Sequence, residues 1–161
     1  MAIPISEVLS RWSTLIPFFN MSSSEFYDTL EKILERHEMP NINMGLVKRK
    51  EGGILSSNRQ YYRVMNKDLV FDICAAPYGK DFFISSWLYE TEGTMRQIFK
   101  NTRFGNFLQA RAAKRTLYQA DAESMFRTCV HQCVLEAVDA MTEGKGKRLT
   151  ELERQMKDGG L

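Results

Sequence analysis

The side chains here that could do more than solvate or pack are three thiols, two imidazoles and one carboxylate set among apolar neighbours. Cys129 and Cys133 stand four residues apart with His131 between them, a grouping that suggests metal ligation. On a helix the two thiols share a face, whereas His131 is rotated by about 100° per residue from each and points elsewhere. A zinc site takes four ligands, and His37 and Cys74 are the remaining histidine and cysteine of the chain. Cysteine is also among the most buried residue types, and this pair falls inside an apolar stripe, so the expectation is core packing, with no metal and no cofactor. Cys74, in Asp72-Ile73-Cys74-Ala75-Ala76-Pro77, stands at a strand end, where an activated thiol can act as a nucleophile. The neighbouring Asp72 carboxylate would raise its pKa, the wrong direction, with Lys80 as a partial offset. The two histidines offer little for acid–base work, and no phosphate-cradling glycine loop, G-x-S-x-G or H-E-x-x-H is present. No residue is assigned a catalytic role, and the balance leans away from an enzyme.

A second chemistry lies between residues 94 and 119. Arg96, Lys100, Arg103, Arg111, Lys114 and Arg115 occur there with no acidic residue, interleaved with Phe99, Phe104, Phe107 and Tyr118. Clustered cations displace counterions from a phosphate backbone, and aromatic rings stack on unpaired bases. The same mixture suits an anionic lipid surface. It also describes a solvated connector whose rings anchor it to the core. No RNP, zinc-finger or helix-turn-helix signature accompanies it. The candidate binding residues are Arg96, Lys100, Arg103, Phe104, Phe107, Arg111, Lys114 and Arg115. Asp72, within Leu-Val-Phe-Asp-Ile-Cys, needs a cation across the sheet, because an isolated buried charge is expensive. Arg59, Arg63 and Lys67 are in reach; an Asp72–Arg63 pair is the structural reading and a polar spot on an exposed sheet face the functional one.

These residues must be positioned by a small set of elements. Val8, Leu9, Trp12, Leu15 and Ile16 follow one face of a helix that Pro17 ends. Phe18, Phe19 and Met21 continue the apolar character. This segment, residues 1–21, must dock on its own core, a partner protein or a membrane surface. Ser22 and Glu25 form a capping box that opens a helix over Ser22–Met39, lined by Phe26, Leu30, Ile33, Leu34 and His37 and stopped by Pro40. The period then becomes extended. Four strands, Gly45–Lys50, Ile54–Met65, Leu69–Ala75 and Asp81–Tyr89, are joined by turns at Glu51-Gly52-Gly53, Asn66-Lys67-Asp68 and Pro77-Tyr78-Gly79-Lys80. The last two strands are apolar on both faces, so the sheet needs a second cover. From Ala122 to Met141 the apolar residues recur at three-and-four spacing, with Asp121 as cap and Gly144 as stop. Thr150–Asp158 reads as a short charged helix.

The expected fold is α+β: a four-stranded antiparallel meander packed against an N-terminal helix and a long C-terminal helix. It forms one domain over residues 1–161, with 91–118 as a basic connector. Hydrophobic residues make up 43% and charged residues 26% of the 161, which excludes a disordered chain. A net charge of +2 supplies no bulk field toward nucleic acid or membrane. An odd, sparse cysteine set, a start at Met-Ala-Ile-Pro without a basic n-region, and no apolar run long enough to span a bilayer predict a cytoplasmic location. In element order alone, the chain resembles the ubiquitin-conjugating and RWD-like folds. The conjugating family carries a His-Pro-Asn signature and a cysteine after the fourth strand. This chain has no such signature, and no cysteine between Tyr89 and Cys129, so the resemblance implies a non-catalytic binding relative. The expected function is therefore a non-enzymatic binding or adaptor module, a subunit of a larger cytosolic assembly. Its partner would be another protein chain or a second copy, met through Trp12, Phe18, Phe19 and Trp87. The alternative is direct binding of nucleic acid or anionic membrane through 94–119, and a cysteine-dependent enzyme using Cys74 is the third reading.

Overall fold

A computed structural model describes residues 8–49, 59–91 and 115–159. Strands β1 (Val8–Ile16), β2 (Ile42–Arg49), β3 (Arg59–Asn66), β4 (Leu69–Tyr78), β5 (Asp81–Glu90) and β6 (Lys157–Asp158) join helices α1 (Ser23–Arg36) and α2 (Leu117–Thr142). The strands form one antiparallel sheet in the order β2-β3-β4-β5-β1-β6. The α+β class stands, and the four-stranded meander is the β2–β5 part of a six-stranded sheet.

Local chemistry explains the elements that were expected. At α1, the Ser22 hydroxyl accepts from the Glu25 amide and the Glu25 carboxylate accepts from the Ser22 amide, satisfying two otherwise orphaned donors. Lys67 (φ 52) and Gly79 (φ 60) take left-handed conformations in the β3–β4 and β4–β5 turns, which pair Asn66 with Leu69 and Tyr78 with Asp81. The Glu51-Gly52-Gly53 turn and most of the 91–118 connector lie outside the described residues.

Three expectations are corrected. Val8–Ile16 is a strand and not a helix. Val8, Trp12 and Ile16 recur every fourth residue, a spacing that fits a strand's period of two as well as a helical face. Ser10 also points inward and is buried, and a bulge at Leu9 turns Val8 to the Tyr89 side. The helix α2 begins a turn before Asp121: Thr116 is its cap, in a second capping box with Gln119. Thr150–Asp158 is not a helix; a Thr150–Glu153 box caps one turn, after which β6 pairs with β1. Among the described residues a strand paired with β5 precedes α1, which departs from the helix-first order on which the family resemblance rested.

One face of the sheet holds the core. Trp12 and Ile16 of β1, Tyr62 and Val64 of β3, Phe71, Ile73 and Ala75 of β4, and Phe82, Ile84 and Leu88 of β5 pack there. The apolar faces of α1 and α2 cover them. The opposite face carries Asp72 and Cys74 of β4 and Phe83, Ser85, Trp87 and Tyr89 of β5, by strict alternation. Val70, Asp72, Cys74, Ser85 and Tyr89 are buried on that face too, as both-sided apolar strands require.

Candidate binding face

The four expected interaction residues fall into two groups by burial. Trp12 and Phe19 are 3% and 4% exposed in the chain's own core, and so form no surface. Trp12 donates from Nε1 to the Glu153 carbonyl, and Phe19 meets Phe82 edge-on at 6.1 Å. Phe18 is 76% exposed. Trp87 is half-buried on the face away from the helices, donating from Nε1 to Ser85 Oγ at 3.1 Å.

Phe18 is held out by its backbone. Its φ of 50° is left-handed, uncommon for any residue with a Cβ and an outlier for a bulky one. Its amide donates to Asp81 Oδ1 at 3.0 Å, and the Phe19 amide donates to the Lys80 carbonyl at 3.1 Å. Two bonds to the β4–β5 turn thus fix a strained residue so that Phe19 turns inward and Phe18 outward. Tyr78, the register partner of Asp81, is 75% exposed. Leu15, 48% exposed, lies across from half-buried Phe83. Leu15, Tyr78 and Phe83 share the face away from the helices, at the end of the sheet where the Phe18 and Phe19 amides bind the β4–β5 turn. Leu15, Tyr78 and Phe83 were not singled out from the sequence; a strand period over residues 8–16 would have marked Leu15.

Deeper on the same face, Asp72 is held by two guanidiniums. Arg63, its direct cross-strand partner, donates from Nε and Nη2 at 2.8 and 2.9 Å. Arg49 reaches it from β2 with Nη2 at 2.9 Å, and the Tyr89 hydroxyl donates at 2.7 Å. Burial and the nearby Asp72 raise the Tyr89 pKa, which keeps its hydroxyl a donor. Two cations and a phenol satisfy the carboxylate, and Arg59 and Lys67 are not needed for it.

Of the basic segment, Arg96, Lys100, Arg103, Phe104, Phe107, Arg111 and Lys114 lie outside the described residues. Arg115 is ion-paired with Glu123 at 2.8 Å, and Tyr118 is exposed on the first turn of α2.

Cys74 is buried on the outer face, where burial raises its thiol pKa and nearby Arg59 only partly opposes it. That is the reverse of what a nucleophile needs. Cys133 is buried in the core, with its thiol pushed up to about 12, by burial first and the neighbouring Cys129 second. The imidazole facing the cysteine pair is His37, while His131 points toward β1. Among the described residues no helix is long and apolar enough to cross a membrane. No family model, curated protein or solved structure matches the chain, so its functional reading rests on its own residues.

Proposed function

We propose that this chain is a non-enzymatic binding module that docks a second protein chain at the corner of its sheet. The observation behind this reading is Phe18, a large apolar side chain kept in solvent by a left-handed backbone that two hydrogen bonds stabilise. Strained backbone that exposes an aromatic ring is a cost to the free molecule, and such costs concentrate at functional positions. Tyr78 and Leu15 extend the exposed apolar surface, and aromatic residues are the usual anchors of protein interfaces. Half-buried Phe83 and Trp87 continue it along β5.

The double substitution Phe18→Ser/Tyr78→Ser tests the patch on the purified protein. Both side chains are solvent-exposed, so the melting temperature should stay within about 3 °C of wild type, as for surface changes of under ~1 kcal/mol. Fluorescence of an apolar-patch dye should fall several-fold. Equal and weak dye binding by both proteins would overturn the reading.

A further inference from the structure

We propose that His37, Cys129 and Cys133 form a zinc site that ties the C-terminus of α1 to the middle of α2. Their ligand atoms, one imidazole nitrogen and two sulfurs, lie within 4.8 Å of one another. In a tetrahedral zinc site, bond lengths of about 2.3 Å to sulfur and 2.0 Å to nitrogen place neighbouring donors roughly 3.5–3.8 Å apart. His37 Nδ1 and Cys129 Sγ are already 3.9 Å apart, so the donors need only close by about an ångström or less.

A second, independent feature is the support of the imidazole. Glu136 lies on the same face of α2 as the two cysteines, at positions i, i+4 and i+7. Its Oε2 is 3.0 Å from His37 Nε2, and because a carboxylate only accepts, Nε2 carries the hydrogen. In the neutral ring, Nδ1 then directs its lone pair at Cys129. Arg36 binds the other carboxylate oxygen of Glu136 and fixes its orientation. A histidine that donates its far N–H to a carboxylate while its near nitrogen faces soft donors is the usual outer-shell arrangement of a metal-bound imidazole.

The donor set selects the metal. Two thiolates and an imidazole favour zinc over hard cations such as magnesium or calcium, which take oxygen. Cys133 anchors the site from the core, while Cys129 is half-buried and His37 exposed, so a fourth ligand would come from the solvent side. The pairing escapes the sequence because His37 and Cys129 are 92 positions apart and meet only once α1 packs on α2.

The test is calorimetric titration of Zn²⁺ into the reduced full-length chain, alongside cobalt substitution. Wild type should bind one ion per chain and melt about 5 °C higher at a hundredfold excess over Kd. Equimolar Co²⁺ should produce a thiolate-to-metal charge-transfer band. Cys129→Ser and His37→Ala should each weaken binding by about a hundredfold, Glu136→Gln by about tenfold, and Cys74→Ser not at all. Absence of saturable zinc uptake and of the cobalt band in wild type would overturn the site. So would binding by Cys129→Ser and His37→Ala equal to wild type.

Discussion

On α2, His131 turns away from the cysteine pair and into the contact between that helix and β1. Its ring meets Trp12 edge-on at 5.6 Å, and its Nε2 donates to the Arg154 carbonyl at 2.5 Å. Nδ1 is buried with no hydrogen-bond partner among the described residues. Burial lowers the pKa below its ordinary 6.5, and the charge of Arg127 pushes the same way, against the Arg154 carbonyl. Below 6.5 the unfolded chain binds a proton here that the folded chain resists, so by linkage stability falls as pH drops through that value. The slope stays below the ~1.4 kcal/mol per pH unit that uptake of one full proton would give. Denaturant midpoints at several pH values between neutrality and mild acid should show this slope in wild type and lose it in His131→Gln; identical slopes would contradict it. Asp72 shows what is legible at the residue scale. Its need for a cation was readable from its apolar neighbours, and the short Lys67-Asp68 turn sets the register that makes Arg63 that cation. Arg49 was not readable, because it arrives from a third strand across residues 50–58.

Among the elements, those with a local punctuation mark could be read and those defined by pairing could not. Ser22 with Glu25, Lys67 and Gly79 mark α1 and two hairpins by chemistry within four residues. β1 has no such mark. Its partner β5 lies more than sixty residues away in the chain, and apolar residues four apart fit either period. Capping boxes mislead when read singly: Thr116 with Gln119 opens a helix of 26 residues, and Thr150 with Glu153 a single turn. The residues beyond each box decide its reach, through the apolar stripe of α2 in one case and the glycine-bounded tail in the other. This assignment predicts that Thr116→Ala destabilises the protein by about 1 kcal/mol. Asp121→Ala, inside the helix and exposed, should stay within about 0.5 kcal/mol. Chemical denaturation of the two variants checks it; a larger loss at Asp121 would restore the later start.

At the scale of the whole molecule, a sheet apolar on both sides has one face closed by α1 and α2. The other face changes character along its length. Around Asp72 it is buried and ion-paired; toward the β4–β5 turn it opens into Leu15, Phe83, Tyr78 and Phe18. The expectation that residues 1–21 dock somewhere is met, for the described part of the segment, by the chain itself: β1 enters the sheet with Trp12 and Ile16 in the core, and Phe19 beyond it joins them. Among the described residues of that segment, Phe18 and Leu15 are large apolar side chains that stay exposed. The central claim, that this corner receives another protein, is tested most directly by tagged capture from nuclease-treated native lysate, comparing wild type with Phe18→Ser/Tyr78→Ser. The account predicts a stoichiometric protein recovered by wild type and lost by the folded variant. Recovery of the same proteins by both, or of none by either, would contradict it.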